Sequence, residues 1–237
     1  MKKNLFVFSL LSAVLCLCAT SSAASTGNAT KTFNVGAFDK LEAAAIAVDV
    51  RLGQPTGKVE VTVDGKSTDE VTAYVEERTL KIAFRKARGS QNKSARAVIT
   101  VPSLREIEGE ASARVTVNGT LRTQDIEIDL SSSASVQITR IETETLEADA
   151  SSSASVTIGS LTAKKVEVDA SSSATVIING GTADYAEFDA SSSAKINATP
   201  FKVLRGSADA TSSARIKCSI KAPAHIKQSS SGSVQNL

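Results

Sequence analysis

Five aspartates, Asp129, Asp149, Asp169, Asp189 and Asp209, stand 20 residues apart, and a run of serines or, at Thr211, a threonine follows each two residues later. Clustered carboxylates can act as acid and base on a glycan, or share a cation. A serine can act as a nucleophile when a base lies within reach. The aspartates have companions two positions upstream, Glu127, Glu147, Glu167 and Glu187.

The serine chemistry fails first. The only histidine is His225, so one imidazole would have to serve six similar serine runs, and no G-x-S-x-G elbow precedes a helix. The carboxylates are a weaker case for catalysis than their number suggests. Acid and base roles need environments that separate two pKa values, whereas a periodic row repeats one environment. Unit charges about 4.8 Å apart repel by roughly 0.9 kcal/mol even in bulk water, so the row needs relief. The relief expected is a bond from Asp169 to the Ser171 hydroxyl or nearby backbone, or a bound cation. No D-x-D-x-D-G loop or glycine-rich nonapeptide is present, and no metal site or cofactor is expected. The five aspartates are therefore candidates for binding a ligand, and no catalytic residue is assigned.

The period itself dictates the architecture. Serine runs begin at Ser131, Ser151, Ser171, Ser191 and Thr211, with fainter copies in "EASARVTV" (110–117) and "SSSGSV" (229–234). From Leu146 to Ile158 apolar and polar residues alternate, so the segment is extended with one face inward. The inward columns recur as Ile128, Ala148, Val168, Phe188, Ala208 and as Val136, Val156, Val176, Ile196, Ile216. Thirteen extended residues would span about 43 Å, so the strand must bend, and Ala-Ser-Ser-Ser-Ala is the place. On this parity Ser132, Ser152, Ser172, Ser192 and Ser212 face inward, bonding the backbone or one another. A parallel β-helix stacks residue i on i+20, whereas an antiparallel hairpin array does not, and the near-identity of the columns favours the helix.

The fold expected is all-β, a right-handed parallel β-helix (solenoid) with ~20-residue coils. Residues 33–108 lack the serine signature and should form an irregular β-rich N-terminal cap, with turns at Gly65 and Gly89; regular coils occupy 109–234. Cys218 falls on the inward parity as a small core residue.

Residues 1–24 read as a signal peptide: Lys2 and Lys3, an apolar run from Leu5 to Cys18, then "ATSSAAS". The run is short for a membrane span, and leucine before Cys16 and Cys18 argues against a lipoprotein. Residues 25–237 then form one exported domain, periplasmic, surface-bound or secreted. Its single cysteine precludes an intrachain disulfide. Without Lys2 and Lys3, the 27 basic and 25 acidic residues balance, which gives no argument for nucleic acid.

Two other features offer surfaces. The column Arg114, Ser135, Ser155, Thr175, Lys195, Arg215 is a hydroxyl row with basic ends. Ice binding is disfavoured there, since serine lacks threonine's methyl; a glycan strip would lack an aromatic platform. The run "RTLKIAFRKARGSQNKSARA" (78–97) reads as a charged strand face, or as a contact for an anionic glycan or cell surface.

The order "FDKLEAAAIAVDVRLG", "KVEVTVDG", "VEERTLKIAF" and "ARAVITVPSLREIEGEASARVTV", then Ser-Ala units, resembles the head GIN domain family of auto-transporter adhesins, commonly exported by Bacteroidetes-type bacteria. The resemblance runs from about Phe33 to Val234, with "ITVPSLREIEGEASARV" its most specific part. Ser-Ser-Ser-Ala stands where many members carry glycine. The resemblance implies an exported β-helical domain with an adhesin-like role and supplies no catalytic residues. The expected partner is a glycan or a cell-envelope or host-surface component. The other classes are a polysaccharide-active enzyme using the acidic ladder and a structural spacer that self-associates into homo-oligomers.

Overall fold

The computed structural model describes residues 27–64, 67–85 and 94–237. The expected signal peptide, the turns at Gly65 and Gly89, and Lys86, Arg88 and Lys93 of the basic run lie outside the described residues.

The described residues form strands and no helix. In chain order they are β1 (Asn28–Asn34), β2 (Lys40–Ala44), β3 (Ala47–Leu52), β4 (Lys58–Asp64), β5 (Val71–Glu76), β6 (Thr79–Phe84), β7 (Ala95–Val101), β8 (Glu106–Glu110), β9 (Arg114–Arg122) and β10 (Asp125–Leu130). There follow β11 (Ser135–Glu142), β12 (Thr145–Ala150), β13 (Ser155–Ala170), β14 (Thr175–Ile178), β15 (Gly181–Ala190), β16 (Lys195–Asn197), β17 (Phe201–Ala210), β18 (Arg215–Cys218), β19 (Ile220–Gln228) and β20 (Ser233–Asn236).

Walls of parallel strands enclose the core: two long ones, and between them a short one in which Ile141, Leu161, Gly181 and Phe201 stand in register. One long wall runs β8–β10–β12–β13–β15–β17–β19, the other β9–β11–β13–β14–β16–β18–β20, and the long β13 bends through both. Asp129, Asp149, Asp169, Asp189 and Asp209 lie directly opposite one another, so the stacking is the parallel solenoid and not a hairpin array. Both predicted inward columns are buried. Ala148 and Phe188 share a column, so a large ring is accommodated by the small residues of other coils. Each buried Val, Ile, Leu or Phe is worth about 1.5–3 kcal/mol in transfer free energy, repeated coil after coil.

The serine corner departs from the expected parity. Ala134 N donates to Ser131 O at 2.9 Å across a four-residue turn whose central residues, Ser132 and Ser133, have φ of 52° and 65°. Two consecutive positive φ values define a type I′ turn. The same geometry recurs at Ser152–Ser153, Ser172–Ser173, Ser192–Ser193, Ser212–Ser213 and Ser230–Ser231. The turn swings both central side chains outward, so Ser132, Ser152, Ser172, Ser192 and Ser212 are exposed rather than inward. Their hydroxyls make no bond to described residues. The backbone carries the corner instead, Ser133 N donating to Ser152 O at 3.0 Å and Ser151 N to Leu130 O at 2.9 Å.

The N-terminal region does cap the stack, but not all of it is irregular. β2 and β3 make a coil with its own corner at Ala45 (φ 56°), paired in parallel with β6 and β7 on one side and β8 and β9 on the other. The first coil in sequence is thus the second in space. Beyond it β5 closes one wall, and β4 with β1 closes the other, all antiparallel. Asp39 ties the three coils together. Arg78 donates to it (Nη2 to Oδ2, 2.9 Å), as does Arg105 (Nε to Oδ2, 3.0 Å), and these guanidiniums hold its carboxyl below the usual range.

Candidate functional site

The outward residues of the first wall form a continuous carboxylate ladder. Its main column in spatial order is Glu42, Glu108, Asp129, Asp149, Asp169, Asp189 and Asp209. A lysine stands at each end: Lys81 lies 3.6 Å from Glu42, and Lys227 lies 3.3 Å from Asp209. A second column, Glu106, Glu127, Glu147, Glu167 and Glu187, runs beside it, with Lys40 paired to Glu106 at one end and His225 beyond Ser207 at the other.

All five predicted aspartates are brought together, lining a groove of about 370 Å³ with Ser151, Ser171, Ser191 and Thr211 along one side. The sequence pattern missed Glu42 and Glu108, because β2 enters the stack out of chain order and β8 uses glutamate for aspartate. The end lysines were equally hidden, although Lys227 does stand two residues before the 229–234 copy of the repeat, where the other coils carry aspartate.

Burial first, and then the neighbouring carboxylates, set the electrostatics. The expected bond from Asp169 to Ser171 is absent. Desolvation in the groove, then the neighbouring Asp169 and Asp129 charges, pushes Asp149 up to about 6. Desolvation, then Asp169 and Glu187, does the same to Asp189, again to about 6. Asp129 and Asp169 are raised for the same first reason. Desolvation, then a hydrogen bond with the adjoining Glu106 and its charge, lift Glu108 to about 8. In a row of like charges, protonating every second member relieves both neighbours, and the row titrates as a unit. The ladder can therefore exchange protons in mildly acidic solution and attract cationic groups above it. Among the described residues no group of three or more His, Cys, Asp or Glu is arranged to hold a metal ion.

Other predicted features fall into place around the ladder. Cys218 is buried, and burial raises its thiol to about 11. Of the basic run, Arg78 pairs with Asp39, Lys81 with Glu42 and Glu76, and Arg96 with Asp49, as a charged strand face would. No hydrogen bond links His225 to a serine among the described residues. No helix there is long and apolar enough to cross a membrane.

These features define a class: a parallel β-solenoid of about 20-residue coils whose polar side chains form ladders on the outside. The chain belongs to the family described as "Putative auto-transporter adhesin, head GIN domain", whose profile matches residues 37–237. Solved structures share the fold. A "putative adhesin" from Parabacteroides merdae ATCC 43184 is 20% identical, with a TM-score of 0.75 over 90% of this chain and 97% of that one. A "putative adhesin" from Bacteroides fragilis NCTC 9343 is 18% identical, TM-score 0.70, over 90% and 98%. A "putative lipid binding protein" from Parabacteroides distasonis ATCC 8503 is 19% identical, TM-score 0.75, over 90% and 97%. A comparison with curated proteins returned no match.

Proposed function

We propose that the protein is an exported, non-catalytic adhesin-like module that contacts a glycan or a cell-envelope or host-surface component through its outward ladders. The observation that carries this reading is the sameness of the coils. On the first wall the solvent-facing carboxylates repeat a single chemistry along the stack, which suits an extended partner and ill suits a reaction that needs two unlike groups at one point. Membership of a family described as an adhesin supports it.

The test is a glycan and matrix-protein array probed with the full mature chain. Binding to a defined subset of spots is expected. No binding to any spot would overturn the reading, as would turnover of an arrayed polysaccharide that is lost in the D149N/D169N double variant.

A further inference from the structure

Charge is not spread evenly around the solenoid: the serine corners divide it. The first wall carries the acidic ladder. On the second wall, β9, β11, the first half of β13, β14, β16, β18 and β20 contain one carboxylate, Glu142, which lies at the far end of β11 and is paired with Arg122 at 2.8 Å. The column nearest the corners reads Arg114, Ser135, Ser155, Thr175, Lys195, Arg215 and Ser233, in register. Lys217 lies in the next outward column, opposite Asn197. Lys195, Arg215 and Lys217 are exposed, and none forms an ion pair or side-chain hydrogen bond with another described residue.

Between this column and the corners runs a groove of about 380 Å³, lined by Ser173, Ser193, Ser213, Lys195 and Arg215. The three serines are the second, outward-swung residues of their turns, with φ of 67° to 68°. Their hydroxyls have no protein partner and face the groove. It therefore offers two unpaired cations and three free hydroxyls at coil intervals of about 4.8 Å, with no carboxylate among its lining residues.

We propose that this groove binds an anionic polysaccharide laid along the stack. Lys195 and Arg215 take a sulfate, phosphate or carboxylate group, and Ser173, Ser193 and Ser213 exchange hydrogen bonds with sugar hydroxyls on successive units. The arginine can engage an oxyanion through two parallel N–H bonds, the lysine as a point charge. No aromatic side chain lines the groove for bases to stack on, which disfavours single-stranded nucleic acid. No large apolar side chain lines it either, which disfavours an acyl chain. The inference rests on the adhesion reading above and adds to it a ligand class and a place.

The test is calorimetry on the full mature chain at low salt. The probes are a heparin-derived oligosaccharide, its desulfated counterpart, an oligogalacturonate and a single-stranded DNA oligomer. Binding of a sulfated or uronate probe is expected, weakening as salt is added, with the K195Q/R215Q double variant at least about tenfold weaker. R215K should bind between the parent and K195Q/R215Q, since it keeps the charge and loses the paired N–H bonds, and K58Q, on the remote β4, should bind as the parent does. Melting curves should show the exposed variants folded as the parent.

The inference is overturned if no anionic glycan binds, if K195Q/R215Q binds as tightly as the parent, or if DNA binds as tightly as the glycan. It is also overturned if the chain dimerises and both K195Q/R215Q and D149N/D169N abolish the dimer. Array hits indifferent to K195Q/R215Q would sink this assignment and leave adhesion standing; an empty array would sink both.

Discussion

Replacing both central residues of one serine corner by glycine, S172G/S173G, should stabilise the protein. Ser172 and Ser173 hold φ of 51° and 68°, a left-handed conformation that costs an L-residue about 1–2 kcal/mol. Glycine adopts it freely but brings about 0.5–1 kcal/mol of extra backbone entropy to the unfolded chain. The difference leaves about 0.5–1 kcal/mol in favour of glycine at each site, and about 1–2 kcal/mol for the pair. For a domain of this size that raises the thermal midpoint by roughly 2–8 °C. The hydroxyls bond nothing in the protein, so S172A/S173A should stay within about 0.5 kcal/mol of the parent. The chain already uses alanine in this conformation at Ala45 and Ala111. Differential scanning calorimetry of the three proteins decides. A midpoint lowered by the glycine pair, or an alanine pair destabilised by more than 1 kcal/mol, would refute the reasoning and return the corner to its hydroxyls.

Four other perturbations should each have a measurable outcome. Folded-state pKa values of Asp149 and Asp189 near 6 exceed the unfolded value, so the native state binds more protons between about pH 4 and 6. Stability should therefore rise as pH falls from 7 to 5, and D149N/D189N should raise the midpoint at neutral pH and flatten that slope in a pH series of melts. Asp39 has the opposite sign: its carboxyl is lowered, so what it contributes is present above the ordinary carboxylate value and is lost as pH falls through its lowered one, and the difference between D39N and the parent should be largest at neutral pH and shrink on acidification in the same series of melts. Gly181→Ala would set a Cβ 1.9 Å from the Leu161 carbonyl oxygen at a φ of +107°, and a drop of more than 3 kcal/mol is expected in denaturant titration. Cys218 should resist a thiol reagent at pH 8 in the native state and react at once in denaturant.

What could be read from the chain alone follows from its periodicity. A 20-residue repeat with period-two alternation leaves one economical structure, and the buried columns from Ile128 to Ala208 and Val136 to Ile216 sit where alternation puts them. Parity failed at Ser132 and its equivalents, because a turn with two positive φ values breaks the in–out alternation that an extended chain obeys, and serine is not the residue that advertises such a turn. The five aspartates were legible as a row. Its continuation through Glu108 and Glu42 was not, since nothing local marks β2 as lying between coils that come later in the chain. The cationic groove stayed unseen as a unit because it combines one strand column with the corner beside it, residues whose shared direction only the turn establishes.

The interleaved position of β2 and β3 also bears on how the chain acquires its structure. Regular coils meet their neighbours 20 residues away, so they can add one at a time as the chain lengthens. The Asp39 contacts instead close loops of 39 and 66 residues, to Arg78 and Arg105. One neighbour of the first coil, β6 with β7, follows it in the chain, and the other, β8 with β9, only later, so a chain emerging amino end first holds β2 and β3 without their second neighbours until β8 and β9 have been delivered. Assembly then runs outward from a middle that closes late, and whatever holds the emerging segment apart from other chains in that interval determines the yield of folded protein.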